Sequence, residues 1–315
     1  ILKSVRHWGK VIIIDSVNYG EPSVGLSAMA VLLIRYSEIG LKGTAVRIRW
    51  ENRMKDNLMQ MLEHDMVEAL VTKGEARFYI ETSDLDKAIR SVRKVFGVAS
   101  ISIAETCPSD AESICSALAE YSKSRMVKGK TYAVKARREG SQPFTSMDIA
   151  RMVGDAIWNA NLDKDPHVNL SAPDITFWVE VRPKQTYYFQ EYIYSHAGLP
   201  LGTQGRVVAE VRDDRGLLSA WLMMKRGCKV FVDGDYCLDI LSEYDPHLRT
   251  IEDGKIPDRT LGFVKGYSVD DIEGFDQSEY DLPVYFPTVG MTDEDVAERV
   301  AAIRAEAEAS PSRSV

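Results

Sequence analysis

The sequence predicts an α/β protein with three parts: a ferredoxin-like domain, a second α/β domain, and a Rossmann-like domain built on a parallel sheet. The chain has 315 residues, which is enough for two or three domains with hydrophobic cores. Hydrophobic residues make up 45% of it and charged residues 27%, as in ordinary globular proteins. The order of the apolar patterns also changes twice along the chain, near 83 and near 197.

The first domain is predicted over 29–82, and the helix that completes its pattern follows at 85–95, within the next predicted domain. Apolar residues follow a β-α-β-β-α order, in which Lys73 and Gly74 form the turn of a hairpin. This order is typical of ferredoxin-like domains. The predicted elements are a strand at 30–35, a helix at 46–62, strands at 66–72 and 76–81, and a helix at 85–95.

The second domain is predicted over 83–196 as a separate α/β layer. A loop at 139–144 joins its second strand to a helix that begins at Ser146. The predicted elements are strands at 98–104, 131–137, 175–181 and 186–194, and helices at 111–126 and 146–159.

The third domain is predicted over 197–309, where strands and helices alternate. Such alternation predicts a parallel, Rossmann-like sheet. The last helix should begin after Thr292 as N-cap, with Asp295 completing a capping box. The predicted elements are strands at 207–211, 229–232, 261–264 and 284–286, and helices at 217–226, near 238–244 and at 293–307.

The two ends of the chain carry weaker patterns. Residues 1–28 are predicted to be a loosely attached extension, because Met29 opens the first strand-like run. The alternative, an additional strand at 11–14, stays open. The tail 310–315 is predicted to be disordered.

Composition argues against several classes of protein. The cysteines form no C-x-x-C pair and show no zinc-type spacing with histidine, so neither a structural metal nor disulfides are expected. No apolar run approaches the roughly 20 residues of a membrane span, and we expect a cytoplasmic protein. The four cysteines are Cys107, Cys115, Cys228 and Cys237.

The net charge of −8 conceals an uneven distribution. Up to Ala197 there are 26 basic and 24 acidic residues, whereas the rest of the chain has 13 basic and 23 acidic residues. A polyanion would therefore bind to the first part. The run from Tyr121 to Arg138 contains no acidic residue and seven basic ones: Lys123, Arg125, Lys128, Lys130, Lys135, Arg137 and Arg138.

Three stretches together resemble one family. The run from Arg35 to Gly43 (RYSEIGLKG) resembles the opening signature of tRNA 4-thiouridine synthases, or tRNA sulfurtransferases. Residues 135–138 and 143–146 resemble the core of that family's THUMP domain. Residues 198–203 through 221–227 resemble its passage into a PP-loop ATP-pyrophosphatase domain. The resemblance implies ferredoxin-like, THUMP and PP-loop-like domains, and tRNA held at its acceptor end.

Two basic clusters are the candidate RNA-binding sites. The first lies where a strand ends beside a helix N-terminus, whose N–H groups and positive dipole end suit a phosphate. The alternatives are that Thr145 and Ser146 are simple helix caps and that the second cluster is a solvated helix face. The candidates are Lys135, Arg137, Arg138, Thr145 and Ser146 in the first cluster, and Arg35, Lys42, Arg47 and Arg49 in the second.

An aromatic run near the end of the second domain has two interpretations. These rings could stack on nucleobases, but in an alternating strand they more often form core and cross-strand pairs. The run comprises Tyr187, Tyr188, Phe189, Tyr192 and Tyr194.

The third domain departs from the family at the loop that should bind ATP. The family's loop reads Ser-Gly-Gly-x-Asp-Ser, because small residues let backbone N–H groups close around phosphates. Carboxylates there would each cost about 3 kcal/mol against a phosphate ~5 Å away. We therefore expect no cofactor, with ATP and magnesium relevant only if an active site survives. The aligned loop is Val211, Arg212, Asp213, Asp214, Arg215 and Gly216.

The leading interpretation is a tRNA-binding relative of 4-thiouridine synthase that has lost its ATP site and has no identified catalytic residue. The family's late cysteine has no counterpart after Cys237. The alternative is an active ATP-dependent sulfurtransferase, either alone or completed by a partner protein. A homodimer is possible, and neither DNA nor a membrane is an expected partner.

Overall fold

The structure is a computed structural model that describes residues 5–8, 11–14, 30–74, 76–252 and 254–308. The tail 310–315 and most of the extension 1–28 lie outside these ranges. Its first part contains strands β1 (Val5–Trp8), β2 (Val11–Ile14) and β3 (Val31–Tyr36), helix α1 (Thr44–His64), strands β4 (Ala69–Gly74) and β5 (Arg77–Thr82), helix α2 (Leu85–Arg93) and strand β6 (Val98–Pro108). The open alternative of a strand at 11–14 is realised as β2, which runs parallel to β4.

The first domain has the predicted ferredoxin-like topology, with sheet order β4-β5-β3-β6. Alternate residues of β3 and β5 face α1 and α2, and burying them supplies most of the driving force for this packing. Asp84 caps α2 by accepting a hydrogen bond from the Lys87 backbone N–H. The core includes Leu32, Ile34, Met54, Leu58 and Phe78.

The second domain continues from the same strand. It contains helix α3 (Ala111–Lys123), strand β7 (Thr131–Arg138), helix α4 (Ser146–Ala160) and strands β8 (His167–Val168), β9 (Ile175–Val181), β10 (Gln185–Phe189) and β11 (Ile193–Tyr194). The predicted strand at 186–194 is thus two strands, and the short edge strand β8 was not predicted. The first part of β6 pairs with β3, whereas 105–108 pair with β10, so one strand belongs to both domains.

The sheet formed in this way folds back on itself around β6. Strand β5 is three positions from β10, about 14 Å if the sheet were flat. Yet the rings of Tyr79 and Tyr187, on these two strands, stack with centroids 4.8 Å apart. The faces that carry no helices therefore meet, and buried Leu33 and Phe189 fill a small core between the two domains.

The third domain is a five-stranded sheet in which every pair is parallel. The order of its strands is β14-β13-β12-β15-β16. The chain adds β13 and β14 on one side of β12 and then returns to add β15 and β16 on the other side, as in Rossmann-like folds. Its elements are strand β12 (Arg206–Glu210), helix α5 (Asp214–Lys225), strand β13 (Lys229–Asp233), helix α6 (Leu238–Ser242), strands β14 (Arg249–Thr250) and β15 (Thr260–Val264), helix α7 (Val269–Ile272), strand β16 (Val284–Tyr285) and helix α8 (Asp293–Glu308).

The fold class predicted from the sequence is confirmed, together with the capping box of the last helix. Thr292 Oγ1 accepts from the Asp295 backbone N–H, and the Asp295 carboxylate accepts from the Thr292 backbone. Strand β14 and helix α7 were not predicted, because they are too short to show a period. Within the described ranges, no helix is both long and apolar enough to cross a bilayer.

The third domain is docked onto the first by a polar and aromatic contact. Lys94, which is 1% exposed, donates to Glu243 at 2.7 Å and lies 3.4 Å from Asp65. Beside it, Phe96 packs against Trp221 and Tyr244 with ring centroids 5.3 and 5.6 Å apart. A buried lysine needs such partners, because an unpaired charge in the interior is strongly destabilising. The first and third domains therefore hold a defined orientation.

Candidate functional site

The first basic cluster is divided by the alternation of β7. Lys135 and Arg137 point away from the helices and are exposed, and the Arg137 side chain is 68% accessible. The nearest carboxylate to Arg137 is that of Glu139, at 3.8 Å. Lys135 Nζ lies 5.2 Å from the centroid of the Trp178 ring on β9. Two cations thus lie on one face of the sheet where they can meet a phosphate backbone.

Arg138 points to the opposite side and is occupied by the loop that follows. Its Nη1 donates to the carbonyl oxygens of Gly140 and Gln142, at 2.7 and 3.2 Å. Arg138 therefore shapes the loop at 139–144 and lies apart from the exposed pair.

The structure places Thr145 in a capping role. Its Oγ1 accepts from the Asp148 backbone N–H at 3.1 Å, and the Asp148 carboxylate accepts from the Thr145 backbone N–H at 2.9 Å. These bonds to the Thr145 backbone and hydroxyl lower the pKa of Asp148. The dipole of α4 favours an anion at its N-terminus, and the Asp148 carboxylate is that anion. Ser146 is the first residue of the same helix.

The second basic cluster is also divided. Lys42 and Arg49 are exposed around the start of α1, and Arg47 is partly exposed at 3.9 Å from Glu51. Arg35, in contrast, is 7% exposed and is bonded to Glu180 and Ser102. This placement does not fit a direct phosphate contact for Arg35. It makes Arg35 a link between the first two domains.

Arg35 belongs to a buried ion cluster centred on Glu180. The Glu180 carboxylate accepts from Arg35 at 2.9 Å, lies 3.5 Å from Arg77 on the first domain, and lies 3.4 Å from Arg182. Burial alone would raise the pKa of Glu180, but the arginines outweigh it and lower that pKa. Neither Arg77 nor Arg182 was predicted as a site residue. Arg77 lies 103 positions before Glu180 and Arg182 lies two positions after it, and no sequence pattern marks either arginine as its partner.

The side chains of the aromatic run differ in their exposure to solvent. Tyr187, Tyr188 and Phe189 are buried, as the core interpretation predicts. Tyr192 is half-buried, whereas Tyr194 is 74% exposed.

The aligned PP-loop residues lie at the switch point of the parallel sheet. Asp213 is the N-cap of α5, and its Oδ1 accepts from the Gly216 backbone N–H at 2.7 Å. The helix therefore begins at Asp214, earlier than predicted. A β-carbon on Gly266, which follows β15, would lie 2.4 Å from Gly216 N, so backbone packs directly against this first turn.

The charged side chains around this turn are engaged with other parts of the domain. Asp214 accepts from Arg304 and Tyr236, at 2.7 and 2.8 Å. Arg215 turns away to bind Asp293 at 2.6 Å and the Thr288 carbonyl oxygen at 3.0 Å. Asp214 and Arg215 are thus each bonded to other residues and do not neutralise each other's charge. Arg212 pairs with Glu210 and Asp233, at 3.1 and 3.4 Å, while Val211 is buried.

A cleft of about 440 Å³ adjoins the same turn. Its lining includes four aspartates and one basic residue, Arg215. Acidic residues thus outnumber basic ones around the cleft. In the described part of the chain, no three His, Cys, Asp or Glu side chains are grouped as a metal site. The four aspartates are Asp213, Asp214, Asp271 and Asp293.

The fold defines a class of protein in which a ferredoxin-like domain shares a strand with a second α/β domain that carries exposed cations. Comparison with known families agrees: residues 31–102 match the ThiI ferredoxin-like domain and residues 108–189 match the THUMP domain. Over these domains the chain belongs to the tRNA sulfurtransferase, or 4-thiouridine synthase, family.

Individual relatives give the extent of the similarity. The probable tRNA sulfurtransferase of Methanosarcina acetivorans is 38% identical over 214 residues, which are 66% of this chain and 50% of the relative. That of Halobacterium salinarum is 33% identical over 70% of this chain and 58% of its own length. The chain thus spans about half the length of the curated relatives it matches.

Two solved structures share the fold. PH1313 from Pyrococcus horikoshii Ot3 superimposes with a TM-score of 0.73 at 25% identity, over 88% of this chain and 100% of its own. A 4-thiouridine synthetase in an RNA complex with bound ATP gives a TM-score of 0.69 at 19% identity, over 91% and 87%.

Proposed function

We propose that this protein binds tRNA through its first two domains, at the acceptor end, as the family resemblance implies. The observation that carries the proposal is the pair of exposed cations, Lys135 and Arg137, on one face of the THUMP domain. Lys42 and Arg49 add exposed positive charge at the start of α1. Phosphate contacts of this kind supply most of the affinity for RNA and fix its position.

We further propose that the third domain does not bind ATP and serves as a scaffold. Asp213 fills the helix N-terminus that a PP-loop offers to phosphate, and the adjoining cleft is lined with carboxylates. Its role in this proposal is to hold the first domain through the contact at Lys94. An active ATP-dependent sulfurtransferase is the alternative.

The tRNA proposal is tested with the full chain carrying Lys135→Ala and Arg137→Ala together. Loss of two phosphate contacts should weaken tRNA binding at least roughly tenfold and reduce the salt slope by about two. The matched control removes two exposed cations from the third domain, Lys255→Ala and Arg299→Ala, and should leave affinity within about twofold. Equal affinity of the test variant and wild type, at every salt concentration, would contradict the placement.

The nucleotide proposal is tested by calorimetry with millimolar ATP and magnesium, alongside an assay for 4-thiouridine in tRNA with a sulfur donor. We expect no saturable heat and no 4-thiouridine. Either signal would favour the active enzyme, and would mean that Arg212 or Arg215 rearranges to neutralise the carboxylates.

A further inference from the structure

Exposed arginines of the first domain border the segment that leads into the third domain. On helix α1, Arg49 and Arg53 are exposed and lie one helical turn apart, on the same side of the helix. A β-carbon on Gly202 would lie 3.7 Å from Arg53 Nε, so this side of α1 adjoins the connecting segment. Asn57, one turn further along α1, donates to the Leu201 carbonyl oxygen at 3.2 Å and holds the segment there.

The end of helix α5 supplies a cation at the same boundary. The Gly202 backbone N–H donates to the carbonyl oxygen of Gly227, the residue after Arg226, at 2.9 Å. The Arg226 side chain is 63% accessible, and its Nη1 lies 3.5 Å from the Glu38 carboxylate of the first domain. Carbonyl oxygens at a helix end disfavour an anion, but those of Lys225 and Gly227 accept hydrogen bonds from the connecting segment. Arg226 is therefore exposed beside the arginines of α1.

These three guanidinium groups are placed on rigid supports. We call Arg49, Arg53 and Arg226 the junction arginines. Two belong to a helix with a buried face, and the third to a helix end held by the connecting segment, so little conformational entropy is lost when a ligand binds. Trp50 and Trp221, on the same two helices, are buried and offer no ring face to an unpaired base. A duplex, in contrast, carries its phosphates outside and needs only such cations.

We propose that the junction arginines bind the phosphate backbone of paired RNA, so that a duplex lies across the boundary between the first and third domains. This inference rests on the proposed RNA-binding function and extends it, because it gives the third domain a direct contact with RNA beside its role as a scaffold. A phosphate has to compete with Glu38 for Arg226, since the two side chains are paired in the free protein. Glu38 should therefore lower the affinity for the duplex.

The experiment measures binding of a blunt-ended RNA duplex, and of one of its strands alone, to the full chain over a series of salt concentrations. Arg53→Ala with Arg226→Ala should lose roughly tenfold in affinity for the duplex and reduce its salt slope by about two, with the single strand changed by no more than about twofold. Arg53→Lys with Arg226→Lys keeps both charges and should bind like wild type. The matched control, Lys255→Ala with Arg299→Ala, removes two other exposed cations and should also bind like wild type.

The variant Glu38→Gln separates phosphate binding from a purely structural contact. If Arg226 binds phosphate, loss of the competing carboxylate should raise affinity for the duplex by about two- to fivefold, which corresponds to the strength of an exposed ion pair. If Arg226 acts only by pairing with Glu38 across the boundary, Glu38→Gln and Arg226→Ala should both weaken binding, and the proposal is overturned.

A second outcome also counts against the junction arginines. If the double alanine variant binds the duplex like wild type while the Lys135 and Arg137 variant loses affinity for tRNA, RNA binding stands and the contact across the boundary is overturned. If wild type binds neither the duplex nor tRNA, the proposed function itself fails.

Discussion

At the scale of single residues, Glu180 links the first two domains. One carboxylate compensates three guanidinium groups, from Arg35, Arg77 and Arg182, and only Arg182 has a second carboxylate partner, Glu139, within the described residues. A buried pair of this kind adds little stability compared with an apolar packing, but removing one member is costly. The cluster therefore fixes the position of β9, and with it that of Trp178, relative to the first domain.

The corresponding prediction concerns Glu180→Gln. The change leaves clustered, buried guanidinium groups without their shared anion, so the free energy of unfolding should fall by about 3–5 kcal/mol. Urea denaturation measures this fall. Glu120→Gln, which breaks the exposed pair with Lys123, should change it by no more than about 0.5 kcal/mol. An equally small effect at Glu180 would show that the cluster is not structurally important.

At the scale of elements, helix α5 begins with a side-chain cap in the segment that aligns with the family's nucleotide loop. Asp213 gives α5 an N-cap, and Gly266, which has no side chain, lets its backbone pack against that of Gly216. Both features favour the helix itself, and both support the proposal that this turn does not bind a phosphate. The departure of residues 211–216 from the family pattern thus has a structural counterpart.

Substitutions at Asp213 test the cap. Asp213→Ala should lower the free energy of unfolding by about 1 kcal/mol, because the Gly216 N–H loses its acceptor, whereas Asp213→Asn should cost only a few tenths. Chemical denaturation of both variants, compared with wild type, gives the result. Equal losses in the two variants would mean that charge, rather than capping, is the contribution of this side chain.

The helices and strands themselves were largely predictable from the sequence, whereas the sharing of β6 between two domains was not. Long periodic segments such as α1 and α4 appear near the predicted bounds, because a buried helix face leaves a clear pattern. The exposure of Lys135 and Arg137 follows from strand alternation. The burial of Arg35 does not, since it depends on Glu180, far away in the sequence, and on the folding back of the sheet around β6.

At the scale of the whole molecule, the end of α8 joins the third domain to the first. Glu306 accepts from His196 at 2.6 Å and from the Tyr244 hydroxyl at 2.9 Å, and lies 3.5 Å from Arg93. Burial by itself would raise the pKa of Glu306. The bonds to His196 and Tyr244, with the charge of Arg93, outweigh burial and lower that pKa below its ordinary 4.5.

This arrangement predicts acid sensitivity of the domain contact. Because the pKa of Glu306 is lower in the folded state, its contribution to stability is complete above about pH 4.5 and is lost as pH falls through the folded-state pKa. Glu306→Gln should therefore be less stable than wild type at pH 7, and the difference should shrink in acid. Thermal melts of both proteins at several pH values measure it, and a difference independent of pH would contradict the assignment.

The shared strand β6 has a consequence for how this architecture is inherited. The matched domain ranges end at 102 and begin again at 108, yet both limits fall inside the single strand Val98–Pro108. A recombination event that separated the two domains there would leave each with a broken ladder and an unpaired edge prone to aggregation. The ferredoxin-like and THUMP modules, as they occur in this chain, are therefore expected to be gained or lost in evolution as one piece.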